Sequence, residues 1–190
     1  MAKKVSLGAN VCLYPMPVTL VGALVEGKPN YMTVAWTNRV NLNPAIMAVA
    51  VGKSKHTHRG ILECGTFSIN LPGAGLVEKV DYCGIRSGKN TDKSRLFSTF
   101  FGELDTAPLI EECPLNIACR VIQTCDLPGD TLFLGEVVES YLDETCFYEG
   151  KPDPEAIDPL VLTMPDNHYW RMGNFIAKAW SVGKEVEKAQ

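Results

Sequence analysis

Two short windows hold most of the groups that could do chemistry in this sequence. GKSKHTHRG (52–60) carries Lys53, Lys55 and Arg59 with His56 and His58, and no acid. RSGKNTDKSR (86–95) carries Arg86, Lys89, Lys93 and Arg95 against Asp92 alone. Seven of the 18 Lys and Arg residues therefore sit in two segments of a chain with a formal net charge of −4. Ser54, Thr57, Ser87 and Thr91 lie among these charges. Cations, hydroxyls and the free backbone N–H groups of glycine turns are what a phosphate monoester requires. The plain alternative is a pair of solvated basic loops. Neither a Walker loop nor GxGxxG occurs, which disfavours both standard nucleotide-binding loops.

Other reactive groups are less organised. His56 and His58 flank Thr57, and two histidines at i, i+2 could share a metal only on an extended segment. No carboxylate or thiolate beside them completes a ligand set, and donation to an anion at a helix start suits them better. The seven cysteines stand at 12, 64, 83, 113, 119, 125 and 146, with no CxxC pair. Their spacing suits neither a zinc site nor a disulfide framework, and the expectation is buried, reduced thiols in a cytoplasmic protein. Cys83, in DYCGI, has no base assigned to it, and no Ser-His-Asp pattern is present. Glu111 and Glu112 are neighbours on a polar stretch, not a spaced carboxylate pair.

The composition limits the classes that remain. The chain has 190 residues, 46 % of them apolar and 21 % charged, so one globular domain with an appendage is expected. An acidic chain is a poor nucleic-acid binder. No apolar run approaches the roughly 20 residues of a membrane span. The two lysines near the N-terminus are not followed by an apolar run of signal-peptide length.

The elements that must position these groups are mostly strands. The stretches 17–27, 31–40, 45–52, 66–72, 114–127 and 130–142 are apolar or alternating and rich in β-branched residues. Helices are expected at 55–65, with Thr57 as N-cap and Gly65 as stop, and in the first part of 74–100. Strands following strands argue against a Rossmann sheet and for a closed antiparallel barrel with helical insertions. On a continuous strand through TVAWTN (33–38), Thr33, Ala35 and Thr37 would share one face, and Val34, Trp36 and Asn38 the other. The small-residue face would leave room for a flat ring, or Trp36 would fill a barrel end. The tail, with Tyr169, Trp170, Phe175, Ile176 and Trp180, should pack on the body or on another subunit.

Several blocks together resemble a known family. YPMPVTLVGA (14–23), NYMTVAWTNRVNLNPAIMAVAV (30–51), KSKHTHRGI (53–61), TFSINLP (66–72), DYCGIRSGKNTDK (81–93) and LFLGEV (132–137) are similar, in order and spacing, to the flavin reductase-like, FMN-binding split-barrel family and its flavoredoxin branch. The resemblance covers about residues 10–142. It implies a mainly β fold, a six-stranded antiparallel split barrel with helical insertions, in a domain spanning 1–150. A C-terminal extension, 151–190, would pack on the barrel or on a dimer partner.

The resemblance also implies the chemistry. The protein would be a homodimer with FMN near the interface. It would pass electrons from NAD(P)H to a flavin or other acceptor, or act as a carrier fed by a redox partner protein. Neither nucleic acid nor membrane is expected as a partner. Thr33, Ala35, Trp36, Thr37 and Asn38 would line the ring. Lys53, Ser54, His56 and Thr57 would hold the phosphate. Cys83, Gly84, Ser87, Gly88 and Lys89 would close over the flavin, with Lys93 nearby. Hydride transfer needs no acid or base from the protein, so no catalytic residue is named.

Overall fold

The computed structural model describes residues 2–10 and 15–186, so Cys12 lies outside the described residues. In chain order the first half runs β1 (Met16–Pro17), β2 (Thr19–Val25), β3 (Lys28–Val34), β4 (Thr37–Asn41), β5 (Ile46–Gly52), α1 (His56–Cys64) and β6 (Thr66–Leu71). A 3-10 turn at Ala74–Leu76 leads into α2 (Val77–Ile85). Then come β7 (Thr99–Phe100), β8 (Leu109–Ile110), β9 (Leu115–Asp126) and β10 (Asp130–Leu142). The chain ends with β11 (Phe147–Tyr148), β12 (Lys151–Pro152), α3 (Pro154–Ile157), β13 (Leu160–Thr163) and β14 (His168–Arg171).

Seven strands form one antiparallel sheet in the order β3-β2-β6-β9-β10-β5-β4. Its two edge strands, β3 and β4, are consecutive in the chain and separated only by Ala35 and Trp36. The sheet therefore curls until its edges nearly meet, the split barrel anticipated from the sequence. The count is seven rather than six because 31–40 is two strands and not one. The bend at Ala35–Trp36 breaks the alternation. Val34 and Thr37 both turn inward and are buried, while Trp36 is 54 % exposed. Thr33, Ala35 and Thr37 thus do not share a face, and Trp36 does not plug a barrel end. Thr19 Oγ1 holds the bend, donating to Val34 O at 2.9 Å and lying 3.1 Å from Thr37 Oγ1.

The barrel interior is filled by Val21, Ala23, Val34, Val49, Val51, Phe67, Ile69, Cys119 and Phe133, with Ile61 contributed by α1. β2 is also covered on its outer face. There Val18, Leu20 and Tyr31 pack with Val80 and Cys83 of α2, and with Phe97, Ile110 and Leu160. Burial on both faces explains why β2 reads as a continuous apolar run. α1 starts one residue after Lys55, and Thr57 lies inside it, accepting a hydrogen bond from Asn30 Nδ2 at 2.7 Å. Thr57 is therefore not its N-cap: two residues into the helix, its hydroxyl is committed to β3. Gly65 ends α1 with φ +67°, the left-handed conformation that glycine adopts without a Cβ penalty.

The chain after 150 splits into two parts. Ile157 and Leu160 are buried, β13 pairs with β1, and Tyr169 Oη donates to Asp81 Oδ1 on α2 at 3.1 Å. Beyond Arg171 the chain leaves the body, and Phe175, Ile176 and Trp180 stand exposed, Trp180 by 94 %. No helix among the described residues is long and apolar enough to cross a membrane.

A buried amide joins β6 to its neighbours. Asn70 Nδ2 donates to Leu20 O and Ser68 Oγ, both at 3.0 Å, while its Oδ1 accepts from Ile110 N at 3.0 Å and Asn116 Nδ2 at 2.9 Å. Asn70→Ala would strand several buried polar groups, each costing about 1–3 kcal/mol. The variant should lose roughly 3 kcal/mol or more in urea denaturation.

Candidate functional site

Two adjoining cavities open between β3, the start of α1 and the segment that follows α2. The first, of about 290 Å³, is lined by Met32 and Thr33 of β3, by Ser54 through Thr57, by Cys83 through Gly88, and by Lys93. The second, of about 230 Å³, has Lys28, Asn30, Lys89, Asn90 and Asp92 among its walls. His56, Gly88 and Lys93 belong to both, so the two form one groove.

Local packing fixes each wall. α2 is tied to the edge strand β3 by Thr33 Oγ1, which donates to Val80 O, and by Lys93 Nζ, which donates to Tyr31 O at 3.0 Å and Cys83 O at 2.9 Å. The loop after α2 folds tightly over β3 and α1. An added Cβ at Gly88 would overlap Asn30 Oδ1 and come within 2.8 Å of His56 Cδ2. Only glycine permits that approach. α1 enters the groove with no side-chain cap and no acidic residue in its first turn. Its first backbone N–H groups thus remain available to an anion, in the favourable direction of the helix dipole.

The sequence-derived residues divide on this geometry. Thr33, Ser54, His56, Thr57, Cys83, Gly84, Ser87, Gly88, Lys89 and Lys93 meet in the groove. Ala35, Trp36, Thr37 and Asn38 are not among its lining residues. Thr37 is buried in the barrel, and the exposed Trp36 and Asn38 lie at the bend. Lys53 is also absent from the walls, because its Nζ pairs with Asp126 Oδ1 at 2.8 Å near the tip of the β9–β10 hairpin. Lys55, two residues on, faces the first cavity instead. Sequence reasoning missed Lys55, Asn30, Met32 and Ile85. For Lys55 the signal was present, since it lies in the same cationic window, but spacing alone could not say which lysine the turn directs inward.

Burial disfavours the thiolate at three of the cysteines. Burial pushes Cys83 up to about 11 and Cys119 up to about 12, and raises Cys113 further. The six described cysteines are free, with Cys125 exposed and Cys83, Cys113, Cys119 and Cys146 buried. No group of three or more metal-ligating side chains occurs among the described residues. His58, opposite to His56 in role, turns away from the groove. Its Nε2 lies 2.9 Å from Thr131 Oγ1, and its ring packs edge-on to Phe133.

The chain belongs to the flavin reductase-like family: the family's flavin reductase like domain matches residues 11–162. It is similar to the flavoredoxin of Methanosarcina acetivorans, with 50 % identity and a TM-score of 0.94, covering 97 % of this chain and 100 % of that one. The flavoredoxin of Desulfovibrio vulgaris (Miyazaki F) shows 36 % identity and a TM-score of 0.89 over 95 % of this chain and 100 % of its own. An uncharacterized protein of Archaeoglobus fulgidus is 36 % identical over 143 residues, which is 74 % of this chain and 80 % of the relative.

His58 generates a pH prediction. Burial first, and the nearby Lys53 second, hold its pKa below the ordinary 6.5, against a smaller opposite effect of Asp126. The unfolded chain therefore binds the proton more readily. Stability from this group is present above pH 6.5 and is lost as the pH falls through the lower folded value. Denaturation midpoints should fall as the pH drops below 6.5 and level off below the folded value, and His58→Gln should flatten that part of the profile.

Proposed function

We propose that the protein is an FMN-binding electron-transfer flavoprotein. The observation that carries this reading is the groove, in which an apolar wall adjoins a mouth rich in cations and free helix N–H groups. A flavin mononucleotide joins a flat, largely apolar ring to a phosphate, and the groove offers the matching halves. Met32, Thr33, Cys83, Gly84 and Ile85 would take the ring. Ser54, Lys55, His56, Ser87, Gly88 and Lys89 would take the phosphate. When bound, FMN supplies the hydride and electron chemistry, and the protein supplies position and electrostatics.

The donor is NAD(P)H in the first reading, with a flavin or other acceptor receiving the electrons. The similarity to two flavoredoxins over nearly the whole chain favours a second, in which a redox partner protein reduces the bound flavin. Free thiols support a reducing, cytoplasmic setting. We further propose a homodimer. Trp36, Val40 and Leu42 around the bend and β4, and Phe175, Ile176 and Trp180 of the tail, are apolar and exposed in the single chain. A second copy would bury them and screen the groove from water.

Freshly purified protein should show flavin absorption, and the apoprotein should bind FMN far better than riboflavin. A charge-assisted hydrogen bond is worth roughly 1.5–3 kcal/mol, about tenfold or more in affinity. Lys55→Ala and Lys89→Ala should each weaken FMN by that factor and leave riboflavin nearly unchanged. Lys53→Ala, which removes only the pair with Asp126, should leave both ligands unchanged. Equal losses for the two flavins would place the phosphate elsewhere. Steady NAD(P)H oxidation with excess flavin would select the reductase reading, and bleaching only by dithionite or a reduced protein would select the carrier.

Light scattering should give a mass about twice the 20.8 kDa of the chain. A monomer at micromolar concentration would remove the dimer.

A further inference from the structure

Lys93 is 3 % exposed, and its ammonium is held by two backbone carbonyls alone, Tyr31 O and Cys83 O. An ammonium has three donors, so one remains. Among the described residues no carboxylate forms an ion pair with it. The titratable groups around it do not neutralise it either. Cys83, on α2, is kept protonated by burial, and so is Tyr31 on β3. Burial first, and Lys55 ahead of α1 to a smaller extent, hold the Lys93 pKa below its ordinary value, and Lys79 of α2 is a further cation acting on the neighbouring thiol. His56 and Lys89 line the same groove, and the adjacent Asp92 accepts from Ser94 N through Oδ1 at 2.9 Å. A buried, unpaired cation is costly unless something compensates it. Lys93 lines both cavities, so the compensating anion can come from the groove.

Lys55 and Lys89 are exposed at the mouth, where a phosphate can reach them. Lys93 is buried instead, with its Nζ between the carbonyls of Tyr31 and Cys83, the residues next in sequence to Met32 and Gly84, which are assigned above to the ring. We propose that Lys93 is the fixed counter-charge for the negative charge that the flavin ring acquires on reduction, so that it sets the midpoint potential of the bound flavin. This rests on the flavin reading above. A reduced nicotinamide that gives a hydride to ring N5 delivers two electrons and one proton and is itself oxidised. If ring N1 stays unprotonated, the ring gains one negative charge. A cation already anchored by two carbonyls stabilises that charge without reorganising, and so favours the reduced form over the oxidised one.

Midpoint potentials of the FMN-loaded and the riboflavin-loaded protein, measured with dithionite against indicator dyes, test the assignment. Lys93→Met should bind oxidised FMN and oxidised riboflavin within a few-fold of the unsubstituted protein. It should bind the reduced forms at least tenfold more weakly, a fall of about 30 mV or more for a two-electron couple. Lys93→Arg, which keeps the charge, should retain most of the potential. The unsubstituted protein gives an independent reading. Its potential should fall by about 30 mV per pH unit from pH 6 upward, one proton per two electrons. About twice that slope near neutrality would mean a neutral reduced ring and would overturn the proposal. So would a Lys93→Met potential that does not move, whether oxidised FMN alone weakens, which makes Lys93 a phosphate ligand, or both flavins weaken together, which makes it structural. If the unsubstituted protein takes up neither flavin, the flavin reading itself fails, and the proposal fails with it.

Discussion

The closure of the sheet at a single bend is the constraint on which the rest of this structure depends. One run of chain, 28–41, supplies both edges of the barrel, and it can do so only because Ala35 and Trp36 redirect it. Thr19 holds the two sides of that bend through Val34 and Thr37. With the edges brought together, the interior becomes a closed apolar core. The outer face of β3 is then free to receive α2, and the groove is the space left where α2, the start of α1 and the loop after α2 converge.

The site is polar where the fold ends and apolar where it continues. Backbone N–H groups become available at the start of α1 because a helix cannot satisfy its own first donors. Carbonyls become available near the end of α2 for the complementary reason, and Lys93 uses one of them. The same residue caps an outward carbonyl of edge strand β3. A single buried ammonium thus satisfies backbone acceptors on two elements and fixes their separation.

The tail divides by the same logic. The part up to Arg171 returns to the barrel, since β13 has β1 to pair with and Leu160 reaches the outer core. The part beyond carries exposed apolar side chains and pairs with no strand among the described residues. Its exposed rings, with those beside the bend, form the surface proposed for a second copy.

Much of the fold was legible because it follows from local rules. β-branched runs between turn residues located the strands, and Gly65 marked the end of α1. Residues of both cationic windows line the groove. Other features depended on contacts distant in sequence. Nothing local distinguishes Lys53 from Lys55, and only the hairpin carrying Asp126 directs one away from the groove. The bend within TVAWTN is invisible to a period-2 reading, because Thr37 is turned inward by Thr19, eighteen residues earlier. The burial of Lys93 is likewise decided by where Tyr31 and Cys83 place their carbonyls. Sequence determines which segments can be strands or bind anions, through propensities and charges that act over a few residues. Tertiary structure decides which side chains meet, because hydrogen bonds and ion pairs between distant segments exist only after the barrel has closed.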